Sequence, residues 1–192
     1  MGPATVPGCE ADREYVIELL NSALASELIS ALRYERHHVL ATGVHARPVA
    51  ASFLEHAMDE RAHADRFCVR IRQLGGAPDL NPSGLPSRDR PGCVPGESLP
   101  GMIRENLICE RIAIESYGEM IRSVGPDDPT TARVLAAILE QEEEHAADMA
   151  GLLLRLALLL EVALVVLGER RRPVRDLQAQ VRGPPAGRGI VQ

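Results

Sequence analysis

Two stretches of the chain repeat one unusual arrangement. Glu60 is followed three residues later by His63, and Glu142 three residues later by His145. Upstream of each pair lies a lone glutamate with a tyrosine seven residues beyond it: Glu27 with Tyr34, and Glu110 with Tyr117. Glu27 and Glu60 are 33 residues apart, and Glu110 and Glu142 are 32 apart. The chain therefore reads as two copies of one helical hairpin. The polar residues sit on the apolar stripe. Phe53, Ala57, Glu60, Ala64, Phe67, Ile71 and Leu74 fall at steps of four and three, and only Glu60 among them is charged. A lone Glu-x-x-His is common on a wet helix face; four carboxylates and two imidazoles in mid-bundle are not. Buried unpaired, such charges are costly. Two divalent cations would neutralise four carboxylates, and the imidazoles would complete shells of hard oxygen and borderline nitrogen that suit iron or manganese. The chemistry expected is that of a dinuclear metal centre inside a helix bundle.

The elements that must position these residues can be read from the periodicity. A first helix covers about 11–41, with Asp12 or an earlier residue near its cap, and Gly43 ends it. Its stripe is Val16, Leu20, Ala23, Leu24, Ala31 and Tyr34. Pro48 opens a second helix that runs to Leu74, before Gly75-Gly76. Residues 75–101 are rich in Pro and Gly and have no period, so they form a long loop. A crossover down the length of a bundle gives such a loop its reason. A third helix covers about 99–124, with the stripe Ile103, Leu107, Glu110, Ile114, Tyr117, Ile121 and Val124. "GPDDP", 125–129, is a tight turn. A fourth helix starts near Thr130 and carries Leu135, Ile138, Glu142, His145, Met149 and Leu152. Two long hairpins joined by one crossover make a four-helix bundle.

Composition agrees. Aromatics are 3% of the 192 residues and Trp is absent, so the core is built from Leu, Ile, Val, Ala and Met, which favours packed helices. The net charge of −6 gives no general case for binding nucleic acid. Every basic residue other than His is Arg. Cys9, Cys68, Cys93 and Cys109 form no CxxC pair, which excludes zinc-ribbon and rubredoxin-type sites, and a reduced, cytoplasmic chain is the expectation. "MGPATVPGCEADRE" has no apolar core and carries acids, so no signal peptide is expected. "LLLRLALLLEVALVVL", 152–167, is strongly apolar but short for a transmembrane span and contains Arg155 and Glu161. It is read as an extension of the fourth helix into a bundle or subunit contact. Residues 168–192 are basic and rich in Pro and Gly, and read as a solvated flexible tail.

At "LNSALASELISALRY", "DERAHADR", "ENLICERIAIESY" and "EEEHAADM" the chain resembles the ferritin-like superfamily, most nearly the bacterioferritins and the Dps-like ferritins, over roughly residues 15–155. The resemblance implies an all-α, ferritin-like four-helix bundle. The chain then divides into an N-terminal arm at 1–10, the bundle with its apolar extension at 11–167, and the tail at 168–192. It also implies that Glu27 and His63 are terminal ligands of one metal, that Glu110 and His145 are terminal ligands of the other, and that Glu60 and Glu142 bridge. Tyr34 matches a tyrosine close to the site in bacterioferritins. Haem in that family is held by a Met directly after the ligand Glu of the second helix. Here that residue is Arg61, and Met58 lies two residues before Glu60, so no haem is expected. Cys109 beside Glu110, and Cys68 five residues after His63, echo the thiols of Dps-like thiol-containing ferritins, although small buried residues are the simpler reading. Glu55, His56, Glu143 and Glu144 rotate off the metal stripe and are expected to face water. "RYERHH", 33–38, is expected to be an exposed charged face, with His37-His38 lining a route for iron as the other reading.

The function implied is that of a ferroxidase: oxidation of Fe(II) by O2 or H2O2 at a site holding two Fe per chain, with Mn as the alternative metal. It would serve iron storage and protection from oxidative stress in a homo-oligomeric cage. No membrane span and no nucleic-acid partner are expected. The chain lacks a Lys/Arg-rich N-terminal arm for DNA, though the basic tail keeps a route to it. The competing readings are a structural or partner-binding bundle with a stabilising metal site, and a manganese catalase-like peroxide scavenger. Rubrerythrin would need the absent CxxC pair.

Overall fold

A computed structural model of the chain describes residues 13–85 and 96–166. The expected arm at 1–10, a cap at Asp12 and the basic tail lie outside the described residues. Four long helices carry the structure: α1 (Arg13–Leu40), α2 (Ala46–Gln73), α3 (Leu99–Val124) and α4 (Pro129–Val166). Short 3-10 turns occupy Pro82–Gly84 and Gly125–Asp127.

Local chemistry accounts for the boundaries. α2 starts at Ala46, two residues before Pro48. A proline in the first turn is tolerated because the N–H it lacks would have no partner within the helix. The end of α2 is a Schellman cap. Gly75 takes φ +83, its N–H donates to the Arg72 carbonyl at 3.0 Å, and the Gly76 N–H reaches back to the Ile71 carbonyl at 2.9 Å. Ser98 caps α3, its Oγ accepting from the Gly101 N–H at 3.2 Å. Asp128 caps α4, accepting from the Thr131 N–H at 3.0 Å.

The buried apolar side chains fall into two clusters. One joins Val16 and Leu20 of α1, Phe67 and Ile71 of α2, Tyr117 and Val124 of α3, and Leu135 and Ile138 of α4. The other joins Tyr34, Val49 and Phe53, Met102, Ile103 and Leu107, and Met149 and Leu153. The first cluster takes the start of α1, the end of α2, the end of α3 and the start of α4. Hence α2 and α3 run parallel, and the segment between them must travel the length of the bundle. Its beginning is tied to α1, where Asn21 Oδ1 accepts from the Asp79 N–H at 2.7 Å. Ile114 and Ile121, expected in the α3 stripe, are only half-buried.

α1 and α4 are each long and apolar enough to cross a membrane by length and composition, so the shortness of 152–167 does not by itself exclude a span. The apolar side chains of α1 largely face the bundle. Those of α4 do so as far as Leu153; beyond it Leu154, Leu158, Leu159, Leu160, Val162, Val165 and Val166 are exposed.

A buried arginine–aspartate ion pair joins the two hairpins. The Arg70 guanidinium of α2 donates to both Asp128 oxygens, at 2.8 and 2.9 Å, and its Nε donates to Thr131 Oγ1 at 2.7 Å. Thr131 Oγ1 in turn donates to Asp128. Burial works against ionisation of Asp128. The Thr131 hydroxyl and N–H and the Arg70 charge outweigh it and hold the carboxyl below the usual 3.8. A depressed carboxyl contributes stability above its unfolded pKa and loses it as pH falls through the folded value. Asp128→Ala should therefore cost about 3–5 kcal/mol at neutral pH, because it strands Arg70 in the interior. In urea titrations, the stability gap between wild type and Asp128→Asn should narrow below about pH 4.

Candidate metal centre

A polar layer lies in the middle of the bundle, between the two apolar clusters. Each helix contributes one part of the polar layer. Glu27 comes from α1, Glu60 and His63 from α2, Glu110 from α3, and Glu142 and His145 from α4; all six are buried. Glu60 and His63 share a face because three residues make slightly less than one helical turn, and the same holds for Glu142 and His145.

The ligand-type atoms form two overlapping groups, Glu27, Glu60, His63 and Glu142, and Glu60, Glu110, Glu142 and His145. In each group the atoms lie within 4.8 Å of one another. Glu60 and Glu142 belong to both. His63 Nδ1 stands 3.1 Å from Glu27 Oε2, 3.0 Å from Glu142 Oε1 and 3.7 Å from Glu60 Oε2. His145 Nδ1 stands 3.4 Å from Glu60 Oε1 and 3.7 Å from Glu142 Oε2. The internal repeat is visible as a crossed pair of hydrogen bonds. The Tyr34 hydroxyl of the first hairpin donates to Glu110 of the second, and the Tyr117 hydroxyl of the second donates to Glu27 of the first. Burial, followed by the charges of Glu110 and Glu60, pushes Tyr34 well above the usual 10 and keeps it a neutral donor.

Without metal the layer balances its charge with protons. Burial first, and then the charges of Glu60 and Glu142, push both Glu27 and Glu110 well above the usual carboxyl range. Burial opposes charge on the imidazoles too, but the facing carboxylates win. They push His63 up to about 12 and His145 up to about 11. Glu60 and Glu142 are held low, against burial, by those imidazolium groups. Two neutral acids, two carboxylates and two imidazolium ions sum to zero. Even so, Glu60 Oε1, both Glu142 oxygens and His145 Nδ1 are buried without a well-formed hydrogen bond. The facing imidazole nitrogens stand 3.0, 3.4 and 3.7 Å away. The carboxylate lone pairs left over in this way, together with the imidazole nitrogens once these give up their protons, are what divalent cations take up.

The family of the chain follows from comparison with known proteins. The sequence model of the ferritin-like domain matches residues 17–159. The chain belongs to the ferritin-like family. It is 31% identical to a bacterioferritin of Desulfovibrio desulfuricans over 131 residues, which is 68% of this chain and 69% of that protein. Among solved structures, the dodecameric thioferritin of Bacteroides fragilis superposes with a TM-score of 0.73 at 30% identity, covering 79% of this chain and 91% of that one. The crystal structure of Desulfovibrio desulfuricans bacterioferritin, described by its di-iron site in different catalytic states, superposes with a TM-score of 0.70 at 24% identity, covering 97% and 100%.

Several side chains of this ferritin-like chain lie elsewhere than the sequence suggests. His56, expected in water, is buried. Its ring stacks on His145 with centroids 4.2 Å apart, and its Nδ1 lies 3.2 Å from the Tyr34 hydroxyl. The signal was available, since His56 is one turn before Glu60 on the same stripe. His37, read as part of an exposed face, is fully buried. Its Nε2 lies 3.1 Å from Glu105 and its Nδ1 lies 3.1 Å from Asn106 Oδ1. His38 is half-buried, with Nδ1 2.7 Å from the Ala50 carbonyl. Glu55, Glu143 and Glu144 are exposed, as expected. Met58 is exposed, and Arg61 pairs with Glu35 at 2.6 Å. Cys68 is a free thiol, whereas Cys109 is disulfide-bonded, which corrects the expectation of a fully reduced chain.

The charge balance predicts a proton count. Two divalent ions bring in four positive charges, and the layer holds four protons on Glu27, Glu110, His63 and His145. Adding two equivalents of Zn(II) to metal-free protein at pH 6 in weak buffer should release about four protons per chain, and affinity should rise with pH. A release of about one or none, read by pH-stat, would contradict the charge assignment.

Proposed function

We propose that the chain binds two Fe(II) ions in the polar layer and oxidises them with O2 or H2O2. On this reading Glu27 and His63 are terminal ligands of one ion, Glu110 and His145 are terminal ligands of the other, and Glu60 and Glu142 bridge. The observation that carries it is the sharing of Glu60 and Glu142 between two complete ligand groups. A lone structural metal would need only one such group. Iron here is the substrate, and two Fe(II) ions together supply two electrons. They reduce O2 with two protons to H2O2, or H2O2 with two protons to two waters.

The protein's own part is to hold the ions and to shape the charge around them. Glu27 and Glu110 give up their protons as the ions enter, and the tyrosines keep each terminal carboxylate aimed inward. Tyr34 remains a donor because burial disfavours its ionised form. The apolar clusters on both sides exclude bulk water and keep the carboxylate charges strongly felt.

We also propose that the exposed apolar end of α4 packs against other copies of the chain. Seven large apolar side chains beyond Leu153 are too many to leave in water, and the Bacteroides fragilis relative is a dodecamer.

Glu60→Ala and Glu142→Ala should abolish Fe(II) oxidation more completely than Glu27→Ala, because a bridging ligand serves both ions. The metal-free variants should remain folded, because an imidazole that loses its facing carboxylate can release its proton and stay neutral. Stopped-flow oxidation in air, with light scattering on the same samples, reads both points. Equal residual activity in all three variants would overturn the bridging roles. A monomer in light scattering would overturn the assembly.

A further inference from the structure

Laying the second hairpin on the first, α2 and α4 align with an offset of 82 residues, which places Glu142 on Glu60 and His145 on His63. The metal-facing residues of α2 and α4 obey this repeat, and Glu27 and Glu110 match with an offset of 83. The residues behind them do not. Asp59, directly before Glu60, corresponds to Gln141; His56 corresponds to Ile138; Asp148 corresponds to Arg66.

The consequence is visible in the two imidazoles. Both turn Nδ1 toward the shared carboxylates. Behind His145, Nε2 lies 3.4 Å from Asp59 Oδ2, and the His56 ring stacks against its face. His56 itself is held between the Tyr34 hydroxyl at 3.2 Å and Asp148 Oδ2 at 3.4 Å. Behind His63 there is nothing of the kind among the described residues. Its Nε2 is buried with no hydrogen-bond partner. Gln141, which stands where a carboxylate would be needed, is turned to the surface and accepts from Arg66 at 3.0 Å. Ile138 is fully buried in the apolar cluster.

A carboxylate behind a ligating histidine fixes the tautomer and the ring orientation and makes the ring a stronger donor. Removing it weakens metal affinity about 10- to 100-fold in characterised sites. We propose that the two metal positions of this chain are unequal: Asp59 is a positioning residue for His145 that makes the Glu110/His145 position the tight one, and the Glu27/His63 position, which lacks such a residue, is the one that exchanges its ion. The inference rests on the dinuclear reading above and adds an order to it. One ion is held while the other arrives and leaves, which suits a site that passes iron onward.

The test uses Co(II) as probe, titrated into the metal-free full chain without oxygen and followed by its visible absorption. Wild type should bind in two steps whose affinities differ about tenfold or more. His145→Ala should remove the tighter step, and His63→Ala the weaker. Asp59→Ala should weaken the tighter step about tenfold or more and leave the other unchanged, with Asp59→Glu restoring it in part. Glu55→Gln, which removes an exposed charge from the same helix, should change neither step. Gln141→Asp should tighten the weaker step, a gain that general loss of structure cannot produce. Two equal steps in wild type, or an Asp59→Ala protein with the tighter step intact, would overturn the inequality and leave the dinuclear reading standing. Fewer than two Co(II) per chain would overturn both.

Discussion

Four carboxylates and two imidazoles share one buried layer, and the structure must keep that layer electrically neutral. Without metal it does so with protons, placed on Glu27 and Glu110 by burial and the neighbouring carboxylates, and on His63 and His145 by the carboxylates that face them. With metal the same layer can trade four protons for two divalent ions and remain neutral. The bundle's apolar clusters are split into two so that the layer can lie between them, and the residues that meet there come one set per helix.

The two hairpins meet as near-equivalents, and the crossed bonds from Tyr34 to Glu110 and from Tyr117 to Glu27 show how the repeat closes on itself. Each hairpin supplies the tyrosine that restrains the other's terminal glutamate, so neither half-site is complete alone. The equivalence stops one layer out, where Asp59, His56 and Asp148 face Gln141, Ile138 and Arg66 at the corresponding positions. A site with a symmetric inner set and an asymmetric support can bind two ions of one kind and still treat them differently.

Much of this was legible in the sequence. A carboxylate on an otherwise apolar helix stripe is a strong local signal, and its recurrence at nearly constant spacing identified all six inner residues and the four-helix layout. What escaped depends on contacts between elements. His56 sat on the right stripe, but being one more polar residue near a helix turn it was assigned to water. His37 lies one turn beyond Tyr34, and only the packing of α3 against α1 shows that Glu105 and Asn106 are there to receive it. Arg70 and Asp128 are 58 residues apart and belong to different hairpins, so no local pattern links them. Pro48 marked the start of α2 within one turn, which is as close as a rule about first-turn prolines can come.

The most direct test of the account is to locate the metals. Crystals of the protein loaded with Fe(II) and exposed to air, measured on both sides of the iron absorption edge, should show two anomalous peaks per chain, about 3.5–4 Å apart. Both should lie between Glu60 and Glu142, one beside Glu27 and His63 and the other beside Glu110 and His145. A single peak, or peaks outside the six-residue layer, would contradict the dinuclear centre.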